Sequence, residues 1–335
     1  MNSYSHGLNQ WQLRSRTLEL GRRTLVMGIV NITPDSFSDG GLFLDAEAAV
    51  EHGLRLLDEG ADILDLGAES TRPGSRAGSP DGAALRPNNE DLSLHPSKQK
   101  SFAGDPESLG APAVSAAEEQ ARLLPVLEGI LRARPDAVIS VDTYKAATAR
   151  AALRAGAEIV NDVSGFAWDA EMARVCAEAG CGVVLMHTRG RPEEWGTQPP
   201  LEPDELLATV RAGLAASLEK AAVAGISPEA LVLDPGYGFG KRFEENFFLL
   251  ARQAELLALG RPLLAGVSRK SFLGRALAPL HGGSDAPVEA RETAGVAAMT
   301  AAILHGASIV RVHAVRQAAE AARIADAALD GWIGS

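Results

Sequence analysis

Polar residues follow a series of short apolar runs, and three of them are suited to binding a flat heterocycle. Asp142, Asn161 and Asp234 each stand at the end of such a run. A carboxylate can accept two hydrogen bonds from adjacent N–H and amino groups, and an amide can both donate and accept. Any one of the three residues is explained equally well as a helix cap, because Asp and Asn favour that position. The three together favour a ring-binding site.

Basic residues follow the last two apolar runs. Arg311 and His313 alternate along one strand pattern, so both side chains point to the same side. Because the guanidinium fork fits phosphate oxygens and His adds a donor, this pair predicts a phosphate site rather than an ion pair at the rim. Ser268 and Lys270 add polar groups nearby, and Lys270 suits a ring carbonyl, a ring nitrogen or a carboxylate.

Asn31 follows the first apolar run, in the segment Asn31-Ile-Thr-Pro-Asp-Ser-Phe37. Its amide oxygen is a candidate ligand for Mg²⁺, shared with substrate phosphates, because Mg²⁺ takes few protein ligands. The segments 31–41 and 70–75 are rich in Gly, Pro, Ser and Asp and are long enough to act as lids.

Eight apolar runs and the helical patterns between them must position these residues. The runs are continuous rather than alternating, as expected of parallel strands buried on both faces. The predicted strands are Thr24–Val30, Asp62–Leu66, Ala137–Val141, Glu158–Val160, Gly182–Met186, Ala230–Leu233, Pro262–Val267 and Ser308–Val312. Eight strand–helix units predict an α/β fold with a single closed (β/α)₈ TIM barrel, whose active site lies at the C-terminal strand ends. A doubly wound open sheet is the alternative, although no GxGxxG follows the first strand.

One segment differs in composition from the rest of the chain. From about residue 76 to residue 114, Gly, Pro and Ser are frequent and Phe102 is the single aromatic residue, so the segment cannot bury enough apolar surface to offset its ordering. We therefore expect a long mobile insertion after the second strand, ending at a capping box that starts with Ser115 and includes Glu118. The predicted organisation is an N-terminal extension, 1–17, and one barrel domain, 18–335.

Composition limits the possible partners. The 335 residues carry 32 Lys and Arg against 43 Asp and Glu, a net charge of −11, which argues against general nucleic-acid binding. Two cysteines cannot form a disulfide framework and indicate a reducing compartment. With no signal-peptide pattern and no apolar run long enough to span a membrane, we expect a cytoplasmic protein without membrane partners.

The motifs at the strand ends resemble those of the dihydropteroate synthase family. The resemblance runs from about Leu18 to the C-terminal helix, in the family's order, and is interrupted by the insertion. It rests on 27–41 (MGIVNITPDSFSDGG), 60–74 (GADILDLGAESTRPG), 140–143 (SVDT), 161–165 (NDVSG), 234–241 (DPGYGFGK), 266–272 (GVSRKSF) and 311–313 (RVH).

This resemblance implies the condensation of 4-aminobenzoate with (7,8-dihydropterin-6-yl)methyl diphosphate, which releases diphosphate, and it implies Mg²⁺ on the residue matching Asn31. The residues implied to hold the pterin are Asp142, Asn161, Asp234 and Lys270. Those implied to hold the diphosphate are Asn31, Thr71, Arg311 and His313. The aminobenzoate side is implied to comprise Thr71, Arg72, Pro73, Phe239 and Ser268. Within these sets, the implied catalytic residues are Asp142, Lys270, Arg311 and His313. The family is often dimeric, which implies a homodimer.

Two other functions remain open at this stage. Pterin-binding methyltransferases use the same barrel, but they need no diphosphate site, and the Ser268-Arg-Lys270 and Arg311-Val-His313 motifs argue against them. A non-catalytic pterin-binding paralogue is the second alternative, and retention of the whole set of site residues argues against it.

Overall fold

A computed structural model describes residues 10–32, 41–69 and 114–330, with the side chains of 41–45 left out. Its core is a closed barrel of eight parallel strands in the order β10-β3-β4-β5-β6-β7-β8-β9. The strands, including a hairpin that precedes the barrel, are β1 (Gln10–Gln12), β2 (Thr17–Glu19), β3 (Leu25–Asn31), β4 (Ile63–Gly67), β5 (Ile139–Asp142), β6 (Ile159–Asp162), β7 (Gly182–Met186), β8 (Leu231–Asp234), β9 (Leu263–Ala265) and β10 (Ala307–Val312).

Helices cover the outside of the barrel. They are α1 (Gly41–Asp58), α2 (Ala116–Ala133), α3 (Ala146–Ala155), α4 (Met172–Ala179), α5 (Pro203–Ala224), α6 (Phe243–Arg252), α7 (Ser271–Ala276), α8 (Glu292–Leu304) and α9 (Val315–Asp330). The predicted capping box is present at α2, where the Glu118 amide donates to Ser115 Oγ at 3.3 Å and the Ser115 amide donates to the Glu118 carboxylate at 2.9 Å. Gly225 ends α5 in the left-handed region, φ +83°, which a residue without a Cβ adopts without strain.

The outer faces of the strands pack against these helices, which explains why the strand sequences are continuously apolar. On β4, Leu64 and Leu66 are fully buried in the layer between strands and helices, whereas Ile63 belongs to the interior of the barrel. Both faces of each strand are therefore withdrawn from water, as expected of a parallel sheet.

The N-terminal end of the barrel is closed by an apolar layer that we call the barrel floor. It consists of Trp11, Leu13, Leu20, Leu25, Met27, Ile63, Val138, Ile159, Val184, Val232, Leu264 and Ile309. Trp11 is fully buried and lies on the hairpin in which β1 pairs with β2, and its indole Nε1 donates to the Ala230 carbonyl at 2.9 Å. No strand pattern in the sequence predicts this hairpin.

The closed (β/α)₈ barrel predicted from the sequence is confirmed, and each predicted strand lies within two residues of an observed one. Helix α6 continues as a 3₁₀ helix, Gln253–Leu259, and the short helix α7 follows β9. The predicted insertion lies outside the described residues except for Val114, and so do residues 1–9 of the predicted extension. Among the described residues, no helix has the length and apolar character needed to cross a membrane.

Candidate active site

The C-terminal end of the barrel, which we call the mouth, carries polar side chains where the floor carries apolar ones. Alternation along each strand points every second residue inward. On β4 the inward series passes from Ile63 to Asp65, on β6 from Ile159 to Asn161, and on β10 from Ile309 to Arg311. The strands therefore change from apolar to polar within one inward step.

Arg311 lies between two carboxylates. Its Nε donates to Asp65 Oδ2 at 2.6 Å, and its Nη2 donates to Asp142 Oδ2 at 2.6 Å. The two aspartates lie on the adjacent strands β4 and β5, whereas Arg311 lies on β10, so the pairs meet across the barrel interior. Burial disfavours the charged guanidinium, but Asp65 and Asp142 outweigh it and raise the pKa of Arg311. The predicted phosphate ligand is therefore also the counter-ion of a predicted ring ligand.

Asp142 is not a helix cap. Helix α3 starts at Ala146, and that amide donates to Asp169 instead, at 2.8 Å. Burial raises the pKa of Asp142 to about 7, with Arg311 lowering it and Asp65 raising it. Arg311 favours the ionised form of this carboxyl group against the effect of burial, and hydrogen-bond donors of a bound ligand would favour it further.

Asn161 is neighbour to Asp142 in the β5–β6 register. It is almost fully buried, and its Nδ2 donates to Asp65 Oδ2 at 3.0 Å. Asp65 therefore receives a hydrogen bond from Asn161 and another from Arg311 on the same oxygen. The predicted ring ligand Asn161 is brought beside Asp142, and Asp65 links both to the arginine.

Asp234 serves a local role and also faces the site. Its Oδ1 accepts from the Gly236 amide at 2.7 Å, which is the turn-capping contact that the simpler interpretation expects. A Cβ placed on Gly266 would lie 3.6 Å from Asp234 Oδ2 and 3.9 Å from Arg311 Cβ, so the missing side chain leaves room between these two residues. Burial raises the pKa of Asp234, which Gly236 and Lys270 oppose.

Lys270 and Phe239 form one wall of the mouth. Lys270 Nζ lies 3.8 Å from the centre of the Phe239 ring, a cation–π contact, and Trp195 meets the same ring edge-on at 5.0 Å. Burial and the neighbouring Arg311 lower the pKa of Lys270 to about 8, whereas Asp234 and Asp142 raise it. Phe239 also packs with Val163 and Met186, which gives the site an apolar side.

A buried lysine holds the turn that carries Phe239. Lys241 Nζ donates to the carbonyls of Gly236 at 2.7 Å, His187 at 3.1 Å and Phe239 at 3.2 Å. Burial lowers the pKa of Lys241 to about 7. The Gly238 amide donates to Asn246 Oδ1 at 2.6 Å, so the turn is fixed from both sides.

Ser268 and His313 lie together at the ends of β9 and β10. The Ser268 Oγ and the His313 Nδ1 are 3.0 Å apart, and the His313 amide donates to the same hydroxyl at 3.3 Å. His313 comes directly after β10 and two residues after Arg311, so both residues of the predicted phosphate pair lie at the mouth end of this strand.

Asn31 ends β3, next to Gly67 on β4, which in turn pairs with Asp142 on β5. Its side chain is exposed at the mouth. Within the described part of the chain, no group of three or more His, Cys, Asp or Glu residues is arranged to hold a metal ion. A single amide oxygen matches a Mg²⁺ ion that is held mainly by substrate phosphates and water.

The remaining predicted residues cannot be placed. Thr71, Arg72 and Pro73 lie outside the described residues. The described chain reaches Glu69, whose carboxylate pairs with Lys145 Nζ and accepts from the Tyr144 hydroxyl at 3.0 Å. Lys145 is also 3.1 Å from Glu119 on α2, so the start of the segment that carries these three residues is fixed inside the fold.

Asp65 is a residue of this site that is not among the predicted ligands. It is fully buried, and it is the carboxylate that joins Asn161 to Arg311. The signal was present in the sequence, because Asp65 is a charged residue in the middle of a buried strand and faces the same way as Gly67.

Comparison with known proteins identifies the family to which the chain belongs. The sequence matches the family of pterin binding enzymes over residues 27–86 and 104–313. The dihydropteroate synthase of Mycobacterium leprae is 42% identical over 302 residues, which cover 90% of this chain and 92% of the relative. The fold and the site thus define a pterin-binding barrel enzyme.

Solved structures give the same result at the level of the fold. Xanthomonas albilineans dihydropteroate synthase with 4-aminobenzoic acid superposes with a TM-score of 0.76 at 36% identity, covering 96% of this chain and 99% of that one. The Clostridium difficile enzyme in the presence of pteroic acid gives 0.74 at 36% identity, over 93% and 98%. The chain belongs to the dihydropteroate synthase family, transferases of folate synthesis.

Proposed function

We propose that this chain condenses 4-aminobenzoate with (7,8-dihydropterin-6-yl)methyl diphosphate to give 7,8-dihydropteroate and diphosphate. The observation that supports this proposal most strongly is a group of charges at the mouth. Arg311 pairs with Asp142, Lys270 interacts electrostatically with both, and Asp234 interacts with Arg311 and Lys270. This group combines acceptors for ring N–H groups with cations for an anionic leaving group.

The pterin ring is assigned to Asp142, Asn161, Asp234 and Lys270. The carboxylates accept from ring N–H and amino groups, and Lys270 donates to a ring carbonyl or nitrogen. Gly266 keeps the space between Asp234 and Arg311 free of a side chain, which favours the approach of a ring to both residues. The apolar side formed by Val163, Met186 and Phe239 suits one face of that ring.

The diphosphate is assigned to Arg311, His313, Asn31 and Thr71. Arg311 uses Nε and Nη2 on the two aspartates, which leaves Nη1 as the guanidinium nitrogen without a hydrogen bond among the described residues. His313 is oriented by Ser268, because its Nδ1 lies 3.0 Å from the Ser268 hydroxyl oxygen, and an imidazole ring held in this way can donate a hydrogen bond to an anion. A Mg²⁺ ion held by Asn31 would supply neutralisation of the diphosphate charge.

The aminobenzoate is assigned to Phe239, Ser268, Thr71, Arg72 and Pro73. Phe239 offers an aromatic contact, and its position is fixed by Lys241 through the turn that precedes it. Arg72 suits the carboxylate of the aminobenzoate because a guanidinium binds carboxylates in a bidentate manner.

The reaction breaks the bond between the pterin methylene carbon and the diphosphate oxygen, and it forms a bond from the same carbon to the aniline nitrogen. Both electrons of the broken bond leave with diphosphate, where Arg311 and His313 stabilise the added charge. The ring carries the positive charge that develops, and Asp142 stabilises it. The aniline is neutral and nucleophilic at pH 7, and its extra proton passes to solvent.

The test measures diphosphate release by the purified chain with both substrates and Mg²⁺, together with detection of dihydropteroate by mass spectrometry. Release that depends on 4-aminobenzoate supports the proposal. Pterin binding without release would identify a non-catalytic paralogue. Methyl transfer from methyltetrahydrofolate without diphosphate chemistry would identify the methyltransferase alternative.

We further propose that the protein is a homodimer. Support comes from apolar side chains that stand in solvent on neighbouring elements, among them Phe248 on α6 and Leu304 on α8, each more than two-fifths exposed. Light scattering coupled to size-exclusion chromatography tests this proposal, and a mass near 35 kDa would contradict it.

A further inference from the structure

We propose that Asp65 is a positioning residue that fixes the hydrogen-bonding direction of the pterin pocket, by forcing the Asn161 amide to turn its oxygen toward the bound ring. This inference rests on the proposed function, because it concerns how the same pocket recognises a pterin. It goes beyond the residues assigned above, since Asp65 lies beneath the ring ligands and makes no contact with solvent.

The first step establishes that the Asp65 oxygen in contact with the Asn161 amide is a hydrogen-bond acceptor. Oδ2 accepts from Arg311 Nε at 2.6 Å, and a guanidinium nitrogen can only donate. Oδ2 is therefore an acceptor whatever else surrounds it. Arg311 and Asp65 form an ion pair through these two atoms, and the carboxylate of an ion pair has only acceptors to offer.

The second step concerns the amide. One of the two ends of the Asn161 side chain lies 3.0 Å from the same Oδ2. If that end were the amide oxygen, two acceptors would face each other inside the barrel without a proton between them. The end must be the NH₂ group, and the amide oxygen Oδ1 is left without a hydrogen-bond partner among the described residues.

The consequence is a pocket wall composed of acceptors. Asn161 Oδ1, Asp142 and Asp234 all accept, whereas Lys270 supplies the opposing donor. Such a wall favours a ring that carries an amino group and disfavours a ring with an oxo group at the same position. Asp65 thus contributes to the choice between a 2-amino ring and its 2-oxo counterpart without touching either.

The experiment compares two ligands on several variants. The probes are 6-hydroxymethylpterin and 6-hydroxymethyllumazine, which differ by the 2-amino and 2-oxo groups, and calorimetry gives Kd for each. Asp65→Leu removes the acceptor and frees the Asn161 amide to rotate. We expect the preference for the pterin to fall by about tenfold or more, the order of one charge-assisted hydrogen bond.

Matched variants separate positioning from loss of structure. Asp65→Asn keeps an oxygen facing Arg311 and Asn161, so it should retain most of the preference. Ser140→Ala is the control, because Ser140 is the register neighbour of Asp65, is equally buried, and its Oγ makes no hydrogen bond among the described residues. Adding Asn161→Asp to Asp65→Leu restores an acceptor in every rotamer and should restore the preference.

An unchanged preference in Asp65→Leu overturns the inference, and so does an equal loss in Ser140→Ala. Should Asp65→Leu fail to fold, neutron diffraction on the wild-type protein decides the matter by locating the deuterium atoms of the Asn161 amide. Deuterium on the side facing Asp65 supports the inference, and deuterium on the opposite side overturns it. If the wild-type protein binds neither probe, the proposed function fails, while the diffraction result still settles the amide orientation.

Discussion

The floor and the mouth of the barrel are built from the same eight strands, yet they bury opposite kinds of side chain, apolar in the floor and charged at the mouth. In the floor, residues such as Met27 and Ile63 fill the interior with side chains that need no partner. One inward step further, Asp65 and Arg311 are withdrawn from water and depend on each other for compensation. Apolar packing in the floor therefore stabilises the fold, whereas the charged groups at the mouth are available to bind a ligand.

This contrast also separates what each region tolerates. Apolar packing in the floor loses free energy in proportion to the volume removed, and it has no influence on charge at the mouth. A buried charge network loses most when one member is removed, because the other members stay behind unpaired. Substitutions in the two regions should therefore give different combinations of lost stability and lost binding.

The largest expected effect breaks the floor. Trp11→Ala removes a fully buried indole and its hydrogen bond to the Ala230 carbonyl, and should lower the free energy of unfolding by about 3–5 kcal/mol. Chemical denaturation measures this change. Turnover per folded molecule should stay at the wild-type value, and a selective loss of turnover would contradict the separation of floor from mouth. Val223→Ala, at a position 85% exposed on α5, is the control and should change neither quantity.

The next effect breaks the mouth. Asp142→Asn keeps the shape of the side chain but removes the charge that pairs with Arg311 and accepts from the ring, so binding of 6-hydroxymethylpterin should weaken by about 1.5–3 kcal/mol. Calorimetry measures the change. Asp58→Asn is a matched control, because Asp58 also pairs with an arginine, Arg134 at 2.6 Å, but does so on the surface. Equal weakening in both variants would argue that charge alone, rather than place, governs binding.

A smaller effect is expected on the pH dependence of pterin affinity, which the charged groups of the mouth should control and the apolar floor should not. The pKa of Asp142 is raised to about 7, and ring donors favour its ionised form, so pterin affinity should fall as pH drops below 7, by at most about tenfold per unit. Above pH 8, affinity should decline again because Lys270, whose pKa is about 8, loses its proton. Kd measured from pH 5.5 to 9 tests both limbs. The acid limb should be absent in Asp142→Asn, and its persistence there would assign it to another group.

The smallest effect concerns one hydroxyl of the mouth. Ser268→Ala removes the group that orients His313, at a cost of about 0.5–1.5 kcal/mol, so KM for the pterin diphosphate should rise a few-fold. Binding of 6-hydroxymethylpterin, which has no diphosphate, should not change. Ser271→Ala, on the exposed start of α7, serves as the control. A matching loss of hydroxymethylpterin affinity would show that Ser268 acts on the ring instead.

The sequence was informative where a residue's role depends on strand alternation. Asn161 and Asp162 are adjacent and both polar, and alternation places Asn161 inward at the mouth while Asp162 faces outward, where it accepts from the amides of Ser164 and Phe166 at 2.8 Å. The eight strands were predictable from the sequence because short, continuous apolar runs, here of three to seven residues, are typical of buried parallel strands.

Contacts across the barrel could not be read in this way. The pair formed by Arg311 and Asp65 joins residues 246 positions apart, and nothing in either local sequence states that they meet. The floor hairpin was missed because β1 and β2 are three residues each, too short for a periodic pattern. Thr71, Arg72 and Pro73 remain predictions, since the described residues do not include them.

The ion pairs of Lys145 affect which part of this chain can change in length during evolution. Its ammonium group pairs with Glu69, the last described residue before the segment 70–113, and with Glu119, shortly after that segment ends. The residues on either side of this segment are therefore both held by the same buried lysine. The free energy of closing such a loop grows slowly with its length, by about 0.6 kcal/mol per doubling. Changes in length between residues 74 and 113, which exclude the proposed ligands Thr71, Arg72 and Pro73 and the capping box of α2, can therefore accumulate or be engineered while the register of β4 stays intact.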